Sequence, residues 1–262
     1  MKDMLQRISS NSINIYIEQN LDDFYNKSAN HPNFIIHKED KISWVQAKNA
    51  DWPECVFRAN FENLNKEAEI TTIKSLIKRG KAPSGWTVGP LTKPINLGNT
   101  LEKNGFLNVY QQAGMAVELT DLESRKIKEI KLNIEIADNT ESLKQWFTVV
   151  SSVFGIKIDF ELLDFLMLEN EVKFYVGWYE EKPVTSLMLF LSSGVAGLHA
   201  VSTLPEYRNK GLALTISRSA LVDALKMGYR VGVLQASNQG ERIYKILGFT
   251  KYCDIKTYEL ND

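Results

Sequence analysis

The residues from Arg208 to Ala213 have the composition of an anion-binding loop. They read Arg-Asn-Lys-Gly-Leu-Ala and lie between a predicted strand at 195–203 and a predicted helix at 212–227. Gly211 and the small Ala213 let the backbone approach a ligand and turn several N–H groups toward one point. Such amides, together with the positive end of a helix dipole, favour phosphate. The segment therefore predicts a phosphate site, although Arg and Gly in a surface loop are also typical of a simple turn.

The elements that position this loop are predicted from apolar spacing and turn residues. A strand at 132–136 is followed by a helix at 140–153, capped by Asn139 or Thr140, and by a second helix at 159–169. Short turns then link three antiparallel strands, at 174–179, 184–191 and 195–203. Gly228 ends the helix after the loop, and a strand at 231–234, a helix at 239–247 and a strand at 252–260 complete the pattern. The predicted order is β-α-α-β-β-β-α-β-α-β.

Composition excludes several classes of partner. The 262 residues carry 31 basic and 32 acidic side chains, a formal net charge of -1, so we expect no nucleic-acid partner. The N-terminal residues lack an apolar targeting segment, and no apolar run nears the length of a membrane span, so we expect no membrane contact and a cytoplasmic protein. The two cysteines and three histidines lack zinc-ligand spacing, so we expect neither a metal nor a disulfide.

Three segments of the C-terminal half together resemble the GNAT N-acetyltransferase superfamily. They are Thr203-Leu-Pro-Glu-Tyr-Arg-Asn-Lys-Gly-Leu-Ala213, Asn238, and Tyr244-Lys-Ile-Leu-Gly-Phe249. The resemblance implies an α/β (α+β) fold, with a mixed, mostly antiparallel sheet flanked by helices. It implies a transferase that takes acetyl-CoA, with coenzyme A as the product. The implied reaction is direct attack by a primary amine of a small molecule, an amino acid or a peptide.

The resemblance also assigns roles to particular residues. The backbone near Val201 and Thr203 is implied to pair with the pantetheine arm as an added strand does. Ser237 or Asn238 is implied to touch the arm near the thioester, and Tyr244 to protonate the departing thiolate. The amides implied to hold the pyrophosphate are those of Arg208, Asn209, Lys210, Gly211, Leu212 and Ala213.

Acetyl transfer also requires an acid and a base. A tyrosine, with a pKa of about 10, is a weak but adequate acid toward a thiolate whose conjugate acid lies near about 8.5; Tyr244 is alternatively a packed aromatic. His199 resembles the catalytic histidine of some arylalkylamine-type members, and histidine titrates where a base is useful. It alternatively points into the sheet or to its far face. Glu206 and bound water are further candidates for the base. Strand alternation predicts that His199 shares a face with Val201 and Thr203, unless the strand has a bulge.

The N-terminal half contains a faint copy of the same pattern. Gly105-Phe106 matches Gly248-Phe249, and 248 minus 105 gives an offset of 143. The same offset sets Trp86-Thr-Val-Gly89 against Tyr229-Arg-Val-Gly232 and Thr72-Ile73 against Thr215-Ile216, which indicates an internal repeat, with chance similarity as the alternative. It places Asn65, Ala68 and Ile70 opposite Arg208, Gly211 and Ala213, and Leu101 opposite Tyr244.

We therefore predict two domains of related fold. The first, residues 1–125, is a degenerate GNAT-like domain without the phosphate loop or the acid. The second, residues 130–262, binds acetyl-CoA, and a charged connector at 123–131 joins the two. In the first domain, Trp44, Trp52 and Trp86 either line the acceptor cleft or, as is more usual for large aromatics, belong to the core. The turn-rich run 83–90 is either a substrate loop or a connection.

Two other functions on the same fold stay open at this stage. One is a non-catalytic acyl-CoA-binding or regulatory module. The other is an amino acid N-acyltransferase, which the residue sequence at 203–208 suggests. The pairing of Tyr244 and His199 with an intact loop favours the enzyme. The sequence indicates neither the acceptor nor the oligomeric state.

Overall fold

A computed structural model of the protein describes residues 4–122, 124–125 and 130–261, and within them the chain forms eleven strands and seven α-helices. The N-terminal half contains α1 (Ile13–Ser28), β1 (Phe34–Glu39), β2 (Ile42–Ala47), β3 (Cys55–Phe57), α2 (Lys66–Lys78), β4 (Gly85–Val88), α3 (Leu97–Lys103) and β5 (Phe106–Glu118). The C-terminal half contains β6 (Asn133–Ile136), α4 (Thr140–Phe154), α5 (Phe160–Met167), β7 (Val172–Tyr179), β8 (Lys182–Ser192), β9 (Val195–Thr203), α6 (Leu212–Lys226), β10 (Val231–Ala236), α7 (Glu241–Ile246) and β11 (Thr250–Leu260). Most of the predicted connector at 123–131 lies outside the described residues.

All these strands belong to one sheet, in the order β1-β2-β3-β4-β11-β5-β10-β9-β8-β7-β6. Neighbouring strands are antiparallel except for the pairs β3–β4 and β9–β10, which are parallel. The predicted fold class, a mixed and mostly antiparallel sheet flanked by helices, is confirmed. The two halves nevertheless share a single sheet, because β11 pairs with β4 and β5 while β5 pairs with β10. The last strand of each half thus pairs with the other half.

Side chains of β8 show how helices cover both faces of this sheet. Leu187, Leu189 and Leu191 pack in one cluster with α6 and α7, whereas Met188 and Phe190 pack in another with α1, α4 and α5. Since successive side chains of a strand point to opposite faces, β8 is covered by helices on both sides. Helix α1, from the N-terminal half, therefore lies against the same face of the C-terminal strands as α4 and α5.

Local capping explains why the helices of the C-terminal half begin where the sequence predicts. The Asn139 side chain accepts hydrogen bonds from the amides of Glu141 and Ser142, and the Ser142 hydroxyl in turn accepts the Asn139 amide. The Asp159 side chain caps α5 by accepting hydrogen bonds from the amides of Glu161 and Leu162. Helix α7 is shorter than predicted because Ser237 and the turn that follows it occupy the residues before Glu241.

Both halves contain the order β-β-β-α-β-α-β, from β1 to β5 and from β7 to β11. Gly105 and Gly248, with φ of +88° and +94°, follow α3 and α7, so the offset of 143 fits there. At the preceding helices the offset is wrong: Asn65 is the N-cap of α2 and Gly211 that of α6, a separation of 146 (211 minus 65). Asn65 therefore corresponds to Gly211 by helix start, and not to Arg208.

The three tryptophans of the N-terminal half differ in burial. Trp44 and Trp86 are buried in the hydrophobic core of the N-terminal half, as is more usual for large aromatic residues. Trp52 is half-buried and stacks on Phe24 of α1, with ring centroids 5.0 Å apart. Within the described ranges, none of the helices is both long and apolar enough to cross a bilayer.

Two acidic side chains of α1 are completely buried. Glu18 accepts the Leu91 amide, and Asp22 accepts Arg58 Nε at 2.7 Å. Burial raises the pKa of Glu18 to about 8 and that of Asp22 to about 7, although Arg58 works against both shifts. The folded protein therefore holds protons on these carboxyls at a pH where the unfolded chain has lost them.

This burial predicts that stability falls as the pH rises. Because the folded pKa of Glu18 is above its unfolded value, its stabilising effect is complete below about pH 4.5 and is lost as the pH rises through about 8. Glu18→Gln keeps the shape and an acceptor for Leu91 but cannot ionise. We expect this variant to match the parent near pH 5 and to exceed it near pH 9 by on the order of a few kcal/mol, measured by urea unfolding across the pH range. The exposed Glu141→Gln serves as the control, and a pH slope in Glu18→Gln equal to the parent's contradicts the prediction.

Candidate active site

Strands β9 and β10 separate part of the way along their length. They pair only where Ala196–Leu198 run beside Gly232–Leu234. Beyond that point β9 remains paired with β8 as far as Thr203, but no described strand pairs with its other edge. The sheet thus contains a slot beside residues 199–203, with backbone groups along one wall that an extended ligand can pair with.

A bulge in β9 lies at the start of this slot. The register with β8 shifts between Ser186 and Met188, which pair with Ser202 and His199, and Ala200 has a φ of +48°. Two steps along β8 therefore oppose three along β9. The extra residue reverses the alternation of side chains along the strand.

The bulge makes the predicted face of His199 wrong. Leu198 and Val201 both pack in the cluster that contains α6. The His199 ring instead stacks on Phe24 of α1, with centroids 5.8 Å apart, on the opposite face. His199 and Val201 thus lie on opposite faces of the strand, because Ala200 occupies the additional position between them.

The loop after β9 presents unused backbone donors. A one-turn 3-10 helix, Pro205–Tyr207, leads to Asn209 and Gly211, whose φ values are +62° and +80°. Gly211 is the N-cap of α6, has no side-chain cap, and has open space where a Cβ would be. Among the described residues, no protein acceptor pairs with the amides from 209 to 214. These amides and the N-terminal end of the α6 dipole give the loop the chemistry of an anion site.

The charged side chains of the loop point in separate directions. Arg208 Nε donates to the Thr203 carbonyl at 3.2 Å, which fastens the side chain to the end of β9. Lys210 Nζ lies 5.9 Å from the centre of the Tyr179 ring. The loop's capacity for an anion therefore depends mainly on its amides.

Ser237 and Asn238 follow β10 on the other side of the slot. The Ser237 hydroxyl accepts the Gly240 amide at 3.2 Å, and its carbonyl accepts the Glu241 amide at 3.0 Å. Ser237 thus forms the turn into α7, whereas Asn238 is exposed.

Tyr244 lies on α7 within the core cluster that contains α6. It is 8% exposed, and its ring packs edge-on against Phe249 with centroids 5.7 Å apart. A Cβ on Gly240 would lie 3.2 Å from Tyr244 Cε2 and 3.4 Å from Ser237 Oγ, so the tyrosine ring is next to the turn that ends β10. Burial raises the pKa of Tyr244 well above its ordinary value, and the phenol therefore keeps its proton at neutral pH.

His199 is as buried as Tyr244, at 8% exposure. Its Nε2 lies 2.7 Å from Oδ1 of Asn20, a residue of α1. Burial lowers the pKa of His199 to about 4, so the ring is neutral at pH 7 and carries one free lone pair. Glu206, the alternative base, is exposed in the 3-10 helix.

One cavity of the protein lies away from these residues. Its volume is about 760 Å³, and it lies between α1, β1 and the turn that joins β8 to β9. None of the predicted site residues lines it. The chemistry of the candidate site is therefore associated with the slot and its loop, and not with this cavity.

Asn20 is the site residue that the sequence analysis missed. It belongs to the N-terminal half, 179 residues from His199. A signal for it does exist: Ile17, Asn20 and Phe24 share one face of α1, and a buried asparagine within an apolar stripe indicates a specific partner. That partner cannot be identified from spacing along the chain.

Comparisons with known proteins agree with this geometry. Residues 138–249 match the family described as Acetyltransferase (GNAT) family. A GCN5-related N-acetyltransferase from Kribbella flavida superposes with a TM-score of 0.72 at 14% identity, over 94% of this chain and 95% of that one. A GCN5-related N-acetyltransferase from Sphaerobacter thermophilus gives 0.62 at 13% identity, over 86% and 81%. A conserved protein of unknown function from Staphylococcus epidermidis gives 0.58 at 10% identity, over 86% and 93%. No curated protein matches the sequence. At these identities the structural likeness establishes the fold, and the family match covers the segment with the slot and the loop.

Proposed function

We propose, from the match of residues 138–249 to the GNAT acetyltransferase family, that this protein transfers the acetyl group of acetyl-CoA to a primary amine. The acceptor belongs to a small molecule, an amino acid or a peptide. One observation carries the proposal: the slot between β9 and β10 lies beside a loop of free amides at the start of α6. An extended thioester with a pyrophosphate at one end matches both features.

The loop fits a pyrophosphate group. The amides of residues 209–214 have no acceptor within the described chain, and Gly211 leaves open space in front of them. The left-handed conformations of Asn209 and Gly211 direct successive amides to one side. We assign the pyrophosphate to the loop from Arg208 to Ala213, bound mainly by the amides from 209 onward and by the α6 dipole. The Arg208 amide itself donates to the Pro205 carbonyl at 3.2 Å, so the expectation that it also binds the pyrophosphate is not supported.

The slot fits the pantetheine arm. The arm contains two amide groups, and the free edge of β9 near Val201 and Thr203 supplies partners for them, as an added strand would. Ser237 or Asn238, at the end of β10, contacts the arm near the thioester. Acetyl-CoA supplies the activated acetyl group.

Tyr244 and His199 supply the proton transfers. The amine nitrogen forms a bond to the acetyl carbon, the carbon–sulfur bond breaks, and the electron pair leaves with sulfur. Tyr244 donates the phenol proton to that sulfur, and the nitrogen loses a proton to His199. Neutral His199 has the lone pair that this step requires. A nitrogen that has just attacked a carbonyl is a much stronger acid than an ordinary ammonium ion, so even a weakly basic histidine can accept its proton.

The N-terminal half, residues 1–125, is proposed to be a degenerate copy of the GNAT domain at 130–262. It repeats the order of elements, but the N-cap of α2 is Asn65, whose side chain already accepts the Ala68 amide at 3.1 Å. Glu67 and Glu69 in the first turn add negative charge where a phosphate would have to bind. We therefore propose one acetyl-CoA site per chain.

A binding module without catalysis is the alternative, and the burial of both His199 and Tyr244 favours it.

One experiment distinguishes the two functions. The full chain is incubated with acetyl-CoA and a panel of simple amines, amino acids and peptides, while released thiol and acetylated product are measured. The enzyme releases thiol with at least one acceptor class. A pure binding module shows thermal stabilisation by coenzyme A but no amine-dependent thiol release. An amino acid N-acyltransferase prefers amino acid acceptors and longer acyl groups, and the absence of both binding and release refutes the whole proposal.

A further inference from the structure

Asn20 is a completely buried amide that joins the two halves of the protein. It lies on α1, and its side chain reaches β8 and β9 of the C-terminal half. Its Nδ2 donates to the Phe190 carbonyl at 3.2 Å and to the Ser192 hydroxyl at 2.8 Å. A carbonyl can only accept, so these contacts fix which end of the amide carries nitrogen.

The orientation of Asn20 fixes the tautomer of His199. Since Nδ2 is bound to β8, Oδ1 is the atom that faces His199 Nε2, at 2.7 Å. Oδ1 has only lone pairs, so Nε2 must carry the ring proton. The neutral ring then has its lone pair on Nδ1.

The neighbouring backbone leaves room for this contact. A Cβ on Gly197 would lie 1.9 Å from Asn20 Oδ1 and 2.8 Å from His199 Nε2. Both distances are shorter than any normal contact, so the pair requires glycine at this position. Phe24 and Phe190 enclose the ring, with centroids 5.8 Å and 6.2 Å from that of His199.

We infer that Asn20 is a positioning residue for acetyl transfer: it holds His199 with the proton on Nε2 and so makes Nδ1 the basic nitrogen. The N-terminal half therefore contributes to the chemistry through α1, in addition to its structural role. This inference rests on the proposed function, because it requires His199 to accept the proton of the acceptor amine.

The tautomer is measured directly by long-range ¹H–¹⁵N correlation spectra of protein with ¹⁵N-labelled histidine. The chain has three histidines, and loss of one signal set in His199→Gln assigns that residue. We expect the parent His199 to have its proton on Nε2 and Asn20→Leu to have a mixture of tautomers or the proton on Nδ1. We expect kcat to fall by roughly 10-fold or more, because a wrongly positioned general base loses part of its usual contribution to the rate. The KM for acetyl-CoA should change little.

Two further variants guard against a folding defect in Asn20→Leu. Gly197→Ala changes neither partner but places a methyl group against both, so it should shift the tautomer and lower kcat. Asn20→Asp retains an acceptor for Nε2–H and should retain the tautomer. Asn26→Leu is the matched control, because Asn26 lies on the same helix and its side chain bonds only to the Asp22 carbonyl among its described partners.

The outcomes separate this inference from the proposed function. An unchanged tautomer in folded Asn20→Leu and Gly197→Ala overturns the inference, and so does a shifted tautomer with unchanged kcat. If the parent chain releases no thiol with any amine, the proposed function fails and the catalytic role of Asn20 fails with it. The spectra alone still decide whether Asn20 sets the tautomer.

Discussion

Gly211→Glu should abolish the binding of coenzyme A. Gly211 has a φ of +80° and open space in front of it, so the new side chain would extend into the region that we assign to the pyrophosphate. Its carboxylate would compete for the amides of α6 and repel the phosphates. Hydrogen bonds to charged groups contribute about 1.5–3 kcal/mol each, so the loss of two weakens affinity about 100-fold or more. Isothermal titration with coenzyme A measures this directly.

The control is Gly155→Glu. Gly155 also has a left-handed φ, +65°, and open space around it, but it lies at the end of α4. It therefore carries a similar backbone strain and the same added charge outside the loop. A negative charge at the start of α6 favours the helix dipole, so helix unfolding cannot account for a loss of binding in Gly211→Glu. Undiminished affinity in Gly211→Glu would refute the loop assignment.

Local signals explain why so much of the C-terminal half is predictable. The predicted strand at 195–203 has the observed bounds of β9, and the predicted helix at 212–227 extends one residue beyond α6. Asn139 caps the start of α4 and Gly228 follows the end of α6, and each influences only the adjacent helical turn. Within a helix, the spacing of the apolar residues indicates which face is buried. The anion loop is predictable for the same reason, because its glycine and the helix that follows are adjacent in sequence.

The bulge at Ala200 is not predictable in this way. Alternation gives each residue of β9 a face only if the strand is regular, and one extra residue reverses every assignment beyond it. A positive φ is typical of glycine and asparagine, so an alanine at position 200 gives no sign of the bulge. The face of His199 is therefore a property of the pairing between β8 and β9, which the sequence of β9 alone does not contain.

Contacts between the halves are also beyond local reasoning. In the sheet, β11 of the C-terminal half lies between β4 and β5, and β5 of the N-terminal half lies between β11 and β10. Residues that are close in sequence do not specify these pairings. Likewise, Asn20 meets His199 only because α1 crosses the C-terminal strands. An internal repeat predicts similar elements in each half, but it does not predict that each half completes the sheet of the other.

Tyr244→Phe should lower kcat far more than it weakens coenzyme A binding. The ring packs against Phe249 within the core, and phenylalanine preserves that packing while it removes only the hydroxyl. General acids typically contribute 10²–10⁴-fold, so we expect kcat to fall by about 100-fold with the acceptor found by thiol release. Because burial keeps the phenol protonated, the parent activity should not fall through deprotonation of Tyr244 anywhere near neutral pH. Steady-state kinetics and titration with coenzyme A separate the two effects.

Tyr175→Phe is the matched control for this change. Tyr175 is buried in the same cluster, and its hydroxyl donates to Asp223 Oδ2 at 3.2 Å. Its removal should cost about 1 kcal/mol of stability and leave kcat unchanged. A general loss of packing or stability would affect both variants alike, whereas the loss of an acid affects Tyr244→Phe alone. If Tyr244→Phe turns over as fast as the parent, Tyr244 is a packing residue, and the thiolate takes its proton from another group or from solvent.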